Sequence, residues 1–258
     1  MNNNQFELIK KLRWLLVLPI AVLFAFLFAR QSLNSFFITA FFLYLISLLF
    51  AYEKASWLVF FILSIVPTLT TSIILQVHHS FTMVDSLLFC LLFLLSLGLS
   101  YAYAIKMKII ERPRLKDFPI GKIMMGLLLL FVVSAMTSVI GQAIHTTNTQ
   151  NQDQLNQLKT VIPIGIFALQ TIFAGFFEEL TYRVGIFEII FNKHNILAFC
   201  AAAFIFAYMH GPTDLYSWLV YGALSIVLTG LYAKYRNFYL NMSVHMLWNA
   251  IGLLLTLL

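Results

Sequence analysis

Residues 176–183, Phe-Phe-Glu-Glu-Leu-Thr-Tyr-Arg, set two carboxylates and a guanidinium into an otherwise apolar run. Glu179 and Arg183 are spaced i, i+4 and can pair on one face of a helix. Glu178 is rotated about 100° away and has no cation within helical reach. Taken alone, this motif reads equally well as a span ending in cytosolic water. Two further helices tip the balance. Phe206-Ala-Tyr-Met-His210 closes the apolar run that starts at Ile196, and the last helix carries Ser243, His245 and Asn249. His245 and Asn249, again i, i+4, stack on one face. If the chain turns at 192–195, Glu178 and His210 lie sixteen residues to either side of His194. Both would then stand about 24 Å from the turn, at one height. His245, about 12 Å above the turn at Arg236-Asn237, reaches a similar depth if the preceding pair projects into the cytosol.

Amide hydrolysis without a serine or cysteine nucleophile needs an activated water, a base and donors for the oxyanion. A carboxylate, two imidazoles and a carboxamide supply that set. The plain alternative is a group of helix–helix hydrogen bonds, each worth about 1 kcal/mol. Three separate helices offering such groups favour an active or ion site in a wet intramembrane cavity.

The elements that must carry these groups follow from composition. The chain has 258 residues, 61% hydrophobic and 10% charged, with a mean hydropathy of +0.90. Ordinary soluble domains are about 45–50% apolar and 25% charged. This excess excludes a soluble enzyme, a disordered chain and a nucleic-acid-binding domain, despite a net charge of +6. Cys90 and Cys200 lie in apolar runs and read as small buried hydrophobes. A helix needs about 20 apolar residues to cross a bilayer. Candidate spans fall near 14–29, 35–52, 56–77, 84–105, 121–144, 161–180, 195–210, 216–233 and 238–257, with 35–52 and 195–210 short. The expected fold is an all-α polytopic transmembrane bundle of eight or nine spans with an intramembrane polar site. The expected organisation is N-terminal transmembrane helices over 1–105, a basic cytoplasmic loop over 106–122 and a catalytic core over 123–258.

Cations set the expected orientation. With the N-terminus inside, alternate loops collect Lys10, Lys11, Arg13, Lys54, Lys106, Lys108, Arg112, Arg114, Lys116, Lys122, Arg183, Lys193, Lys234 and Arg236. Arg30 and Lys159 fall on the other side, so the bias is strongly positive-inside. His78, His79 and Asp85 read as solvated residues of an outer loop. The compact chain points to a bacterial cell membrane, with the lipid bilayer among its partners and no nucleic acid.

At these residues the chain resembles the CPBP (CAAX-processing and bacteriocin-processing, or Abi) intramembrane endopeptidases. Their pattern E-E-x-x-x-R, F-x-x-x-H and H-x-x-x-N is met by Glu178-Glu179-Leu-Thr-Tyr-Arg183, Phe206-Ala-Tyr-Met-His210 and His245-Met-Leu-Trp-Asn249, in order, over about residues 121–257. The resemblance implies an endopeptidase that cuts a peptide or membrane-protein substrate near the cytoplasmic leaflet, in a site open to the cytosol. Glu178 would be the general base on water, assisted by His210. His245 and Asn249 would serve as oxyanion donors or further ligands. Glu179 and Arg183 would hold the first motif helix, with Arg183 in reach of substrate.

Family members are labelled metalloproteases, though a metal-free glutamate mechanism has also been proposed. Glu178, His210 and His245 make a His₂Glu set of the kind that holds catalytic zinc. There is no H-E-x-x-H, and were Glu178 a ligand, the base would fall to Glu179, which is compromised by Arg183. No cofactor is therefore favoured, with zinc the alternative. Two other functions stay open: a bacteriocin-immunity or scaffold protein acting by binding, and a small ion or proton-coupled transporter. Substrate and oligomeric state are not legible.

Overall fold

The structure, a computed structural model, describes residues 12–29, 32–78, 80–192 and 194–257. Lys10, Lys11, Arg30, His79 and Lys193 lie outside the described residues. All described elements are helical: α1 (Leu18–Phe28), α2 (Leu33–Ala51), α3 (Ser56–His78), α4 (Met83–Lys106), α5 (Ile120–Ala143), α6 (Gln150–Val161), α7 (Ile164–Glu178), α8 (Asn195–Met209), α9 (Leu215–Tyr235) and α10 (Phe238–Leu257). Seven helices are long and apolar enough to cross a membrane, and Leu12–Leu27 and Asn195–Met209 are shorter apolar ones. The segment 33–51 is full length, so the short first helix takes the place expected for 35–52. The chain is an integral membrane protein.

Two compact units divide at residue 59. In the first, α1 packs on α2 as a hairpin. Arg13 donates to the Ala51 carbonyl at 3.1 Å and lies 3.8 Å over the Tyr52 ring. No residue of α2 is buried, as expected of a helix clothed by lipid rather than by protein.

The second unit, 60–258, holds every motif residue. Here α10 packs on α7 and α5, and α9 packs on α8 and α5. At one end Tyr239 donates to the Glu111 carbonyl, Asn237 to the Asp117 carbonyl, and Arg236 to Glu188 at 2.7 Å. These bonds gather the basic loop 106–122 and the turns near 192 and 236. At the opposite end Lys159 donates to the Thr256 carbonyl at 2.6 Å, and Thr149 and Tyr221 share a hydrogen bond of 2.8 Å.

Two expectations need correction. Asp85 is only 3% exposed, because it closes a capping box with Thr82 at the start of α4 and pairs with His78 at 2.9 Å. Such a cap satisfies otherwise orphaned helix amides. Cys90 is half-buried and Cys200 exposed, so apolar runs here mark lipid-facing surface as well as core.

Candidate active site

The helix carrying Glu178 changes its winding at that residue. α7 ends at Glu178, and Glu179–Ile190 continues as a π-helix. Wide i→i+5 winding is rare and concentrates at functional sites. It packs more residues into each turn and rises less per residue. The expected 24 Å from Glu178 to the following turn, which assumed α geometry, is therefore too long.

Glu179 is the hub of the buried network. Its Oε1 accepts from His245 Nδ1 at 2.8 Å and faces Arg183 Nη1 at 3.1 Å. Its Oε2 accepts from Asn241 Nδ2 at 2.5 Å, and the same amide donates to the Leu228 carbonyl at 3.0 Å. Glu179 and Arg183 are both 0% exposed. Charges so deeply buried persist only when paired. The guanidinium lies 3.9 Å over the Phe206 ring and 3.4 Å from Ser225 Oγ. The expectation that Arg183 reaches substrate is therefore not met: stacking and ion pairing hold it inside the protein.

Glu178 points the other way, and its side chain is 24% exposed. Its Oε2 stands 3.6 Å from His245 Nε2. Because Glu179 accepts at Nδ1, that nitrogen carries the proton and Nε2 is the one presented to Glu178. His210 is arranged alike: Nδ1 donates to the Phe206 carbonyl at 2.7 Å, leaving Nε2 free. Both imidazoles touch the Phe206 ring, at centroid distances of 4.5 Å for His210 and 5.6 Å for His245. Gly211, at φ +61°, follows His210 as α8 ends. This left-handed position suits glycine at a helix C-terminus.

Close helix packing sets His245 beside the two glutamates. A Cβ on Gly175 would stand 2.9 Å from the Met246 nitrogen and 3.2 Å from the His245 carbonyl carbon. Asn249 donates to the Thr171 carbonyl at 3.0 Å. One of its two amide hydrogens thus forms the plain interhelical bond, and the other remains for a ligand.

Glu178, His210, His245 and Asn249 all line one cavity of about 940 Å³, and Ser243 does not. The helices line it mainly toward the end remote from the basic turns: α7 and its π continuation between 167 and 182, α8 and its C-cap between 206 and 210, α9 between 216 and 228, and α10 between 245 and 256. Its far wall is residues 147–158. The cavity thus lies toward the end of this unit opposite the basic turns.

Glu178 and His245 are close, but among the described residues no three His, Cys, Asp or Glu side chains are grouped to hold a metal ion. His210 joins the site through Phe206 and the cavity wall. The three members of the expected His₂Glu set are thus not gathered around one point in this arrangement.

Residues 160–251 match the family described as type II CAAX prenyl endopeptidase Rce1-like. The chain is also 51% identical to UPF0177 protein YvdC of Lactococcus lactis subsp. lactis (strain IL1403), over 99% of this chain and 98% of that protein. The chain belongs to the UPF0177 family. The Rce1-like match bears out the resemblance to the CPBP endopeptidases. No solved structure matches it.

Asn241 escaped the sequence reading. The signal was present, since 241, 245 and 249 form an i, i+4, i+8 row on α10. Tyr221 also escaped: it stacks on His210 at 4.5 Å, yet tyrosine in an apolar helix carries no distinctive pattern.

Proposed function

We propose that this UPF0177 protein hydrolyses a peptide bond in a peptide or membrane-protein substrate, with Glu178 as general base on water and no metal in the reaction. The observation that carries this reading is the 3.6 Å approach of Glu178 Oε2 to His245 Nε2 on the wall of a large cavity. A water bound between both groups would lie on the cavity side of the line joining them. Glu178 takes its proton as the oxygen attacks the scissile carbonyl, then returns that proton to the leaving amine. The free Asn249 N–H is available to the developing oxyanion. His210 Nε2 accepts a hydrogen bond from the water or the substrate amide. Glu179 touches no reactant: it fixes the His245 tautomer and neutralises Arg183.

The test is cleavage of a defined peptide mixture by detergent-purified protein, with products read by mass spectrometry. Wild type is expected to produce discrete cuts, and His210→Ala and His245→Ala are each expected to lose about 10²-fold or more in rate, the scale of acid–base assistance. Turnover equal to wild type in both variants would overturn the reading.

A further inference from the structure

We propose that the cavity takes its polypeptide substrate from the non-cytoplasmic side of the membrane, with residues 147–158 forming the wall along which the chain enters. This rests on the endopeptidase reading for what happens at Glu178, but the side of access stands on independent observations. Within the second unit Lys106, Lys108, Arg112, Arg114, Lys116, Lys122, Lys234 and Arg236 lie at one end. Hydrogen bonds from Asn237 and Tyr239 to the 111–117 segment tie that end together. Lys159 is the cation described at the opposite end, where it binds the Thr256 carbonyl. Cation-rich loops stay in the cytoplasm, so the cavity, whose polar wall 147–158 stands at the other end of these helices, faces away from it.

The wall has the chemistry that this occupant needs. α6 is a polar helix with no buried residue, and Asn148, Asn151, Gln152, Gln154 and Asn156 line the cavity together with Gln170 of α7. Carboxamides both donate and accept, so they pair with the N–H and C=O groups of an extended backbone without selecting charge. The wall is also joined to the proposed site. Thr149 and Asn151 meet the Tyr221 hydroxyl at 2.8 and 3.1 Å, and the Tyr221 ring stacks on His210. A polypeptide following these amides is led to the imidazole.

The experiment uses the full-length protein in a Cys90→Ala, Cys200→Ala background, with Gln154→Cys on the wall, Ala174→Cys one turn from Glu178 in the cavity, or Lys116→Cys in the basic loop. A small membrane-impermeant methanethiosulfonate is applied to intact cells and to sealed inverted vesicles. Gln154→Cys and Ala174→Cys are expected to react in intact cells and to lose that reaction in inverted vesicles, with Lys116→Cys doing the reverse. Reaction of Ala174→Cys from the Lys116 side, from both sides or from neither overturns the proposal. Peptide cleavage by the detergent-solubilised wild type, where both faces are open, is scored separately. Absence of cleavage with the expected labelling would remove the catalytic reading and leave the side of access standing.

Discussion

His245 Nδ1 lies 2.8 Å from Glu179 Oε1, and that bond orients the imidazole so that its other nitrogen faces Glu178. One ring thus joins the two adjacent carboxylates of the motif and divides their work. Glu179 is sealed among Arg183, Asn241 and His245, whereas Glu178 is left at the cavity.

This division sets opposite outcomes for two similar substitutions. Glu179→Gln leaves Arg183 buried without its counter-charge, a defect that costs about 3–5 kcal/mol. A clear fall in unfolding temperature in detergent is expected, together with lower cleavage. Unchanged thermal stability would show that the buried ion pair does not support the fold.

Gly175→Ala is expected to damage both stability and activity. Its methyl would stand 2.9 Å from the Met246 nitrogen, a backbone atom that cannot swing aside. Overpacking of this kind costs about 1–3 kcal/mol, and separating α7 from α10 moves His245 away from Glu178. A variant with wild-type melting and turnover would contradict the close-packing account.

Tyr221→Phe removes the hydroxyl that meets Thr149 and Asn151 while keeping the ring on His210. Each lost bond is worth about 1 kcal/mol. The expected effect is a raised KM with kcat largely kept, measured on whichever peptide the wild type cuts. A fall in kcat at constant KM would instead put the hydroxyl at the reacting bond.

Chelation addresses the metal question directly. Incubating active protein with EDTA and then 1,10-phenanthroline is expected to leave turnover unchanged. Loss of activity restored by added zinc would replace the metal-free reading with a zinc site.

The span pattern was legible because hydrophobic runs of bilayer length leave few alternatives, and the three motifs were legible because ionisable groups are costly in such runs. The Glu179–Arg183 pair could be read from i, i+4 spacing alone. Other features depend on packing that a linear reading cannot supply. The π winding after Glu178 altered the height estimate. Asn241 acquired meaning only when Glu179 turned toward α10. Arg183 was placed near substrate until Phe206 and Ser225 were seen to enclose it. The polar helix α6, which supplies the far wall, lies between the expected spans 121–144 and 161–180, where no apolar run marked an element. Asp85, read as solvated, is buried because Thr82 and His78 satisfy it locally.

The most direct test of the central claim is the cleavage rate of purified Glu178→Gln beside wild type, with thermal unfolding of both recorded in the same detergent. Glu178 lies outside the buried network, so the amide is expected to leave the melting temperature nearly unchanged while cleavage falls about 10²–10⁴-fold, the scale of a lost general base. A folded Glu178→Gln protein that cuts peptides at the wild-type rate would contradict it.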